Sequence, residues 1–465
     1  KWLFLKYERI EIYMEKNKEA KEVDLGTGSV GKLLFQLALP AITAQIINVL
    51  YNMVDRMYIG HLPGEGANAL TGVGVTFPVI MAISAFAALV SMGGAPRASI
   101  MMGKGEPQQA ERILGNCASM LVITALVLTV VIQCFGQDIL MIFGASSNTI
   151  SYAWDYMKIY SLGTLFVQLA LGLNAFINAQ GFARTGMLTV TIGAACNIIL
   201  DPLLIFGIGP FPKLGVTGAA VATVLGQIFA ALVALIMLTV KEKNIRLRFR
   251  SMRPSLEILK SIFSIAIPSM ITVGLSSAMS FCMNQILLAF STTATAVFGI
   301  WLKLQSFAYM PIFGLNNGTV PMISYNYGAG RMDRVRQTIS LALKTALVLM
   351  AVLLIAFEII AAQLLQLFSA SDAMLSIGIT ALRICCLSLP LGATTLILSS
   401  SFQALGYSRY TLMINLGRQL IFVIPIAWAM SLTGQLSMVW TAVVIAEALS
   451  ALFSIFLNRK VHKVL

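Results

Sequence analysis

Two aspartates stand among amides in a chain that is otherwise short of charge. Gln45, Asn48, Asn52 and Asp55 are spaced 3, 4 and 3 residues apart, which on a helix gathers all four within about a quarter of the circumference. Asn197 and Asp201 lie one turn apart on a shared face. The runs around them are apolar, and a polar group in lipid is costly unless it is solvated or paired. Burial and a like-charged neighbour both oppose ionisation of a carboxylate. Paired aspartates flanked by amides can therefore hold a proton near neutral pH or coordinate a small hard cation such as Na+. Either event removes negative charge from the pocket and can bias two arrangements of the helices. The competing reading pairs Asp55 with Arg56, but adjacent residues point about 100° apart on a helix, which disfavours that pair.

Such side chains need elements that cross a membrane. Of the 465 residues, 58% are hydrophobic and 11% charged, and long apolar runs recur along the whole length, which identifies a polytopic all-α membrane protein. The runs fall near 33–59, 67–94, 110–134, 152–178, 186–208, 217–240, 258–289, 294–323, 337–368, 375–402, 410–431 and 435–458, giving twelve expected spans. Lys and Arg sort by side when loops are alternated. Lys1 to Lys32 in the tail, Lys241 to Lys260 in the central loop, and Arg97, Lys104, Arg184, Arg331, Arg334, Arg336, Arg409 and Arg459 share one parity; the other holds only Lys213. The positive-inside rule puts both termini in the cytoplasm, in a bacterial inner membrane. Counting about 1.5 Å per residue, Asp55 and Asp201 both fall in the outer half of the bilayer.

The net charge of +13 thus reports topology and argues against nucleic-acid binding. The first residues lack a signal-peptide pattern, and Met14 is read as a start with residues 1–13 as an upstream extension. Six cysteines have neither metal-ligand nor redox-pair spacing. Only His61 and His462 are present, and no nucleophile constellation or phosphate-cradling loop is evident, so an enzyme is not expected, nor a cofactor.

An internal repeat organises the chain. Leu37 to Pro40 recurs at Ile265 to Pro268, Gly103-Lys104-Gly105 at Gly328-Ala329-Gly330, and Gln180 to Arg184 at Leu405 to Arg409, with shifts of 228, 225 and 225 residues. Twelve spans divide into two six-helix bundles of like orientation, related by a pseudo-two-fold axis along the membrane normal. The expected parts are a cytoplasmic tail (1–32), a first lobe (33–240), a basic linker (241–257), a second lobe (258–458) and a tail (459–465). The second lobe lacks the acidic groups: Val273, Ser276, Ser280 and Met283 match the span-1 stripe, and Phe422 and Ile426 match Asn197 and Asp201. Its own ionisable residues are Lys303, Glu358 and Arg383 near the outer face and Arg418 with Glu447 nearer the inner face, the last two read as a structural pair. Lys303 and Arg383 against Glu358 leave one cation over for substrate or the other lobe.

The run Met53-Val54-Asp55-Arg56-Met57-Tyr58-Ile59-Gly60, the run Asn197 to Leu203, and Gly318-Thr319-Val320-Pro321 with Tyr325-Asn326-Tyr327-Gly328-Ala329-Gly330 resemble the multidrug and toxic compound extrusion family, close to its MepA-like bacterial branch. The resemblance covers residues 25 to 460. It implies export of small lipophilic, often cationic compounds in exchange for H+ or Na+, with Asp55, Asn197, Asp201 and Thr223 as the cation-coupling residues. Some members carry a second-lobe acidic pair in spans 7 and 10, which this chain lacks. The expected partners are substrates and membrane lipids, and a monomer is expected. Phe176, Met187, Met279, Met283 and Tyr309 are candidates for the substrate cleft, each with core packing as its alternative. A flippase for lipid-linked oligosaccharide precursors is the rival function; it calls for several cations in the cleft, and Lys303 and Arg383 are the only candidates.

Overall fold

Lipid offers no partner for a backbone N–H or C=O, so an uncharged run that crosses it has to satisfy its backbone within a helix. The computed structural model describes residues 24–240, 244–368 and 370–462, apart from the side chains of residues 269, 270, 273 and 462. The start at Met14, the tail over residues 1–23, Lys241 and Lys243 of the linker, and residues 463–465 lie outside the described residues.

The first lobe comprises α1 (Val30–Gly60), α2 (Gly66–Gly103), α3 (Pro107–Ile142), α4 (Ile150–Leu162), α5 (Thr164–Ala179), α6 (Ala183–Phe206) and α7 (Val216–Thr239). The second comprises α8 (Leu256–Leu288), α9 (Thr292–Gly328), α10 (Met332–Ile359), the short α11 (Ala361–Gln366), α12 (Asp372–Cys386), α13 (Ser388–Ala404), α14 (Ser408–Leu416), α15 (Val423–Ser431) and α16 (Leu436–His462). Twelve spans result. Nine are single crossings by length and apolarity, the bent pairs α4–α5 and α12–α13 supply two more, and α8, uncharged from Ser261 to Leu288, is the twelfth.

Three expected single rods are broken. Span 4 bends by 59° at Gly163, where a Cβ would press into the Val224 side chain, so the helix has to part to let α7 approach. Span 10 bends by 43° at Leu387; Pro390 has no N–H for the carbonyl of Cys386. Span 11 widens into a π-helical turn over Gly417–Phe422, followed by Pro425, which cannot donate to Ile421.

Because the span count is even, α1 begins and α16 ends on one face, the terminal side; the opposite face is the far side. Within the first lobe α6 packs against α1 and α7, and between the lobes α1 and α2 meet α9 and α8. The closest approaches between lobes lie toward the terminal side. A Cβ on Gly103 would run into the carbonyl of Tyr325, one on Gly328 into that of Ile100, and one on Gly93 into that of Ile262. Farther along the same faces of α1 and α9, Ile46, Leu50, Met53, Met57 and Phe307 are exposed, as are Phe77 and Met81 of α2 and Phe281 of α8. The lobes therefore join at the terminal side and part toward the far side.

The segment between lobes is stitched to the first one. Asn116 of α3 accepts from the Ser255 amide at 2.7 Å and donates to the Ser251 carbonyl at 3.4 Å, Ser119 donates to the Met252 carbonyl, and Glu111 pairs with Arg248 at 3.2 Å. Asn116→Ala strands two of these backbone groups, which costs about 1–3 kcal/mol. Its expected outcome is a lower unfolding temperature in detergent together with faster proteolytic cleavage between residues 244 and 255; an unchanged cleavage rate would contradict the stitching.

Candidate functional site

α1 and α6 end close together on the far side, and each presents an aspartate five residues before its end. At about 1.5 Å per residue this puts both carboxyls roughly 7–8 Å from the far helix ends, in the far half of the bundle as the sequence implied. Asp201 and Asn197 are 0% and 2% exposed, and Asp55 and Thr223 8% each. Asn197 Nδ2 donates to Asp201 Oδ1 at 3.1 Å and to Thr223 Oγ1 of α7 at 3.2 Å. The Asp55 and Asp201 carboxyl groups lie within hydrogen-bonding reach of each other. Two ionised carboxylates cannot rest in that contact without a proton or a cation between them.

The surrounding atoms are short of donors. Asp55 Oδ1, Asp201 Oδ2 and Asn197 Oδ1 are all buried without a hydrogen-bond partner. Pro202 adds to this polarity: having no N–H, it leaves the Ile198 carbonyl without its helical donor one turn below. Two carboxyls, an amide oxygen and a hydroxyl are hard oxygen donors of the kind that can hold a proton or a small cation. Among the described residues no group of three or more His, Cys, Asp or Glu gathers as a metal cluster. Arg56 is not part of the set; its guanidinium lies 5.2 Å from the centre of the Phe77 ring.

The α1 stripe is realised with one exchange. Gln45 and Asn48 line a cavity of about 250 Å3 that runs from Asn197 and Thr223 toward the terminal end of α6, with Asn174 and Asn178 of α5, Thr189 of α6, Gln227 of α7 and Asn317 of α9. Asn52 does not line it; it is exposed and turns back onto Asn48, donating to its carbonyl at 2.6 Å. Its place is taken by Tyr51, which lies near both aspartates. Tyr156 lies close to Thr223 and stacks on Tyr160 with ring centres 6.0 Å apart. These tyrosines were missed because tyrosine in a span reads as packing; the available signals were Tyr51 one turn before Asp55 and the four-residue spacing of Tyr156 and Tyr160.

The substrate candidates scatter. Phe176, Met283 and Tyr309 are not on the cleft wall but inside the lobes. Phe176 fills the space beside Gly94, where a Cβ would touch its ring, and Met283 joins the second-lobe core around Trp301 and Trp440. The Tyr309 ring is capped by Arg418 at 5.8 Å, and Arg418 Nε donates to Glu447 Oε1 at 2.7 Å, the structural pair read from the sequence. Met187 lines the first-lobe cavity, and Met279 is half-buried against the second-lobe core. Lys303, Glu358 and Arg383 do not form one cluster: Arg383 takes Glu358 at 3.7 Å, while Lys303 sits over the Phe368 ring at 5.8 Å.

The sequence model of the MatE family matches residues 40–203 and again 268–429, one match per lobe. The chain is 27% identical to the multidrug export protein MepA of Staphylococcus haemolyticus over 92% of this chain and 93% of that protein. It is likewise 27% identical to a protein named FAD transporter in Shewanella oneidensis, covering 86% and 87%. Among solved structures, a multidrug resistance MATE family transporter in an outward-facing conformation superposes with a TM-score of 0.86 at 25% identity, covering 95% of this chain and 98% of that one.

Because the two carboxyls oppose each other, removing one charge relieves the site. Asp55→Asn and Asp201→Asn are each expected to insert, purify and unfold at a temperature equal to or above that of the wild type. A fall of several degrees for either in a detergent melt would show that the site is a stabilising ion pair with some other partner.

Proposed function

The chain belongs to the MatE family of membrane transporters, and from that premise we propose that it exports small lipophilic, often cationic compounds in exchange for protons or sodium ions. Coupling is assigned to Asp55, Asn197, Asp201 and Thr223. The observation that supports this is the contact of two buried carboxyls among oxygens that lack donors. A proton or Na+ entering there supplies the missing positive charge and lets α1 and α6 close on each other; without it the carboxyls repel and the helices part.

In this reading the lobes, 33–240 and 258–458, rock against one another, with 241–257 as the linker and 459–465 as a tail. The terminal side is cytoplasmic by the distribution of Lys and Arg, in a bacterial inner membrane with both termini inside. The cleft then stands open to the outside, where coupling ion enters and compound leaves. Exposed methionine, leucine and phenylalanine on α1, α2, α8 and α9 give it walls that make few directional demands, as suits varied lipophilic substrates in contact with lipid. The 250 Å3 first-lobe cavity falls short of the roughly 300–1,000 Å3 typical for drug-sized ligands, so in this state it suits ions and waters. α1 connects the two ends of the mechanism, for it carries Asp55 near the far side and Ala38 and Ile42 against Gly318 and Gly314 of the second lobe. The protein works as a monomer. The relative named as a FAD transporter leaves room for an anionic aromatic substrate, whereas the engagement of Arg383 by Glu358 weighs against a flippase.

Proteoliposomes loaded with a fluorescent lipophilic cation, and in a parallel set with a flavin, are to be given a proton gradient or a sodium gradient separately. Efflux driven by one gradient is expected from the wild type and should fall to the protein-free background in Asp55→Asn and Asp201→Asn. Normal gradient-driven efflux by Asp55→Asn would overturn the coupling assignment.

A further inference from the structure

The stretch from Tyr325 to Gly330, distinctive in the sequence, takes no part in the cation site, yet it holds a piece of the opposite lobe. Residues 24–29 precede α1 and so move with the first lobe. Asn326 of α9, fully buried, donates Nδ2 to the Leu25 carbonyl at 2.9 Å, and its Oδ1 accepts from Arg334 Nε at 3.1 Å. Arg334 then reaches the carbonyls of Gly28 at 2.8 Å and Thr27 at 3.2 Å, and Arg331 donates to that of Gly26. Four consecutive carbonyls of one lobe are thus taken by three side chains of the other.

The segment is shaped for this contact. Asp24 accepts from the Gly26 amide at 2.9 Å and the Thr27 hydroxyl at 2.6 Å, which curls the strap so that its carbonyls face α9 and α10. The Thr27 hydroxyl above all, with the Gly26 amide and the Arg331 and Arg334 charges, holds the Asp24 carboxyl below its ordinary range, so it stays ionised beside the arginines. A Cβ on Gly26 would come within 2.7 Å of an Arg331 guanidinium nitrogen and 3.1 Å of the Tyr325 ring, so any side chain there has to displace the Arg331 clamp. Leu25 is buried within the second-lobe core.

We propose that residues 24–29 are a latch on the terminal-side gate, and that Asn326, Arg331 and Arg334 are positioning residues that hold the gate shut while the far side is open. The proposal rests on the alternating-access reading above. Bonds across an interface that must open in the cycle exist in one state only, so they set the ratio of the two states; bonds within one lobe would persist in both. Loss of the clamp shifts that ratio toward the terminal-side-open form by roughly ten-fold or more.

The test is hydrogen exchange on the full chain in nanodiscs, with no substrate present, for the wild type and two variants that attack the latch from opposite lobes. Arg334→Gln removes a partly exposed clamp, and Gly26→Val pushes the strap off without altering the second lobe. Both are expected to speed exchange at the gate-lining segments 92–103, 256–266 and 314–328 and also to slow it at the far-side segments 46–57 and 70–81. Faster exchange confined to 24–29 and 322–334, with the far side unchanged, would mean local fraying and would overturn the latch, as would no change at all. Gradient-driven efflux is measured on the same samples. Its absence in the wild type would count against the transport reading, while the exchange pattern still decides the latch.

Discussion

Two carboxyl groups pressed together inside an apolar bundle are the constraint on which the rest of the molecule turns. Water would screen them and an apolar core would exclude them; here neither happens, because α1 and α6 are packed against each other along their length and neither Asp55 nor Asp201 can withdraw. The contact is eased by positive charge, and the protein supplies only part of it: Arg56 attracts Asp55 electrostatically from outside the contact. Arg56 is drawn off to Phe77, and the Asn197 amide nitrogen serves Asp201 and Thr223 while its oxygen stays open. In the proposed coupling, a proton or cation from solution supplies the rest.

The second lobe shows the contrast. It inherits the same six-span plan, yet at the depth of its π-helical turn it pairs a buried carboxylate, Glu447, with a resident cation, Arg418, through one carboxylate oxygen, the other being buried without a partner. By the repeat shift Arg418 stands where the first lobe has Gly193, whose missing side chain lets α6 and α7 close to backbone contact at Gly226. One lobe uses this position for close packing and carries its two carboxyls farther along the helix; the other fills it with a charge paired inside the lobe. A resident pair loses two favourable interactions if either partner is neutralised, so it resists titration through the cycle. Under the proposed coupling, this asymmetry makes the first lobe the switch and the second the fixed wall.

Lipid is the reason so much of this was legible in sequence. Where any polar atom is costly, Asp55, Asn197 and Asp201 stand out by type and spacing, and the spans by length. The same solvent hides other things. A hydropathy run continues across a bend, so the breaks at Gly163 and Leu387 leave no mark beyond a glycine and a nearby proline. Lipid-facing, cleft-facing and core-facing positions all take the same residues, which is why Phe176, Met283 and Tyr309 could not be told from wall residues until their neighbours were known. Asn326 was visible as part of an unusual motif, but its role depends on a carbonyl some 300 residues away, at Leu25. Side-chain partners of that separation follow from the packing of lobes and have no periodic signature.

α1 joins these parts. The strap before Val30, the contacts at Ala38 and Ile42 with α9, and Asp55 near the far end all belong to one helix of 31 residues. From Val30 to Asp55 is about 37 Å at 1.5 Å per residue, too far for screened charges to act on one another directly. A change at Asp55 can reach the strap only through the helix, as a tilt of the whole rod or a bend within it. Pro40 stands between the two ends, beside the interlobe contacts, and deprives the Gln36 carbonyl of its helical donor. A rod would transmit a tilt in full; a helix weakened there can yield at the interface instead, letting the far end respond to an ion while the strap stays bound. Under the proposed mechanism, the order of events at the two ends is set by how stiff α1 is at Pro40 compared with how firmly Asn326, Arg331 and Arg334 hold the strap.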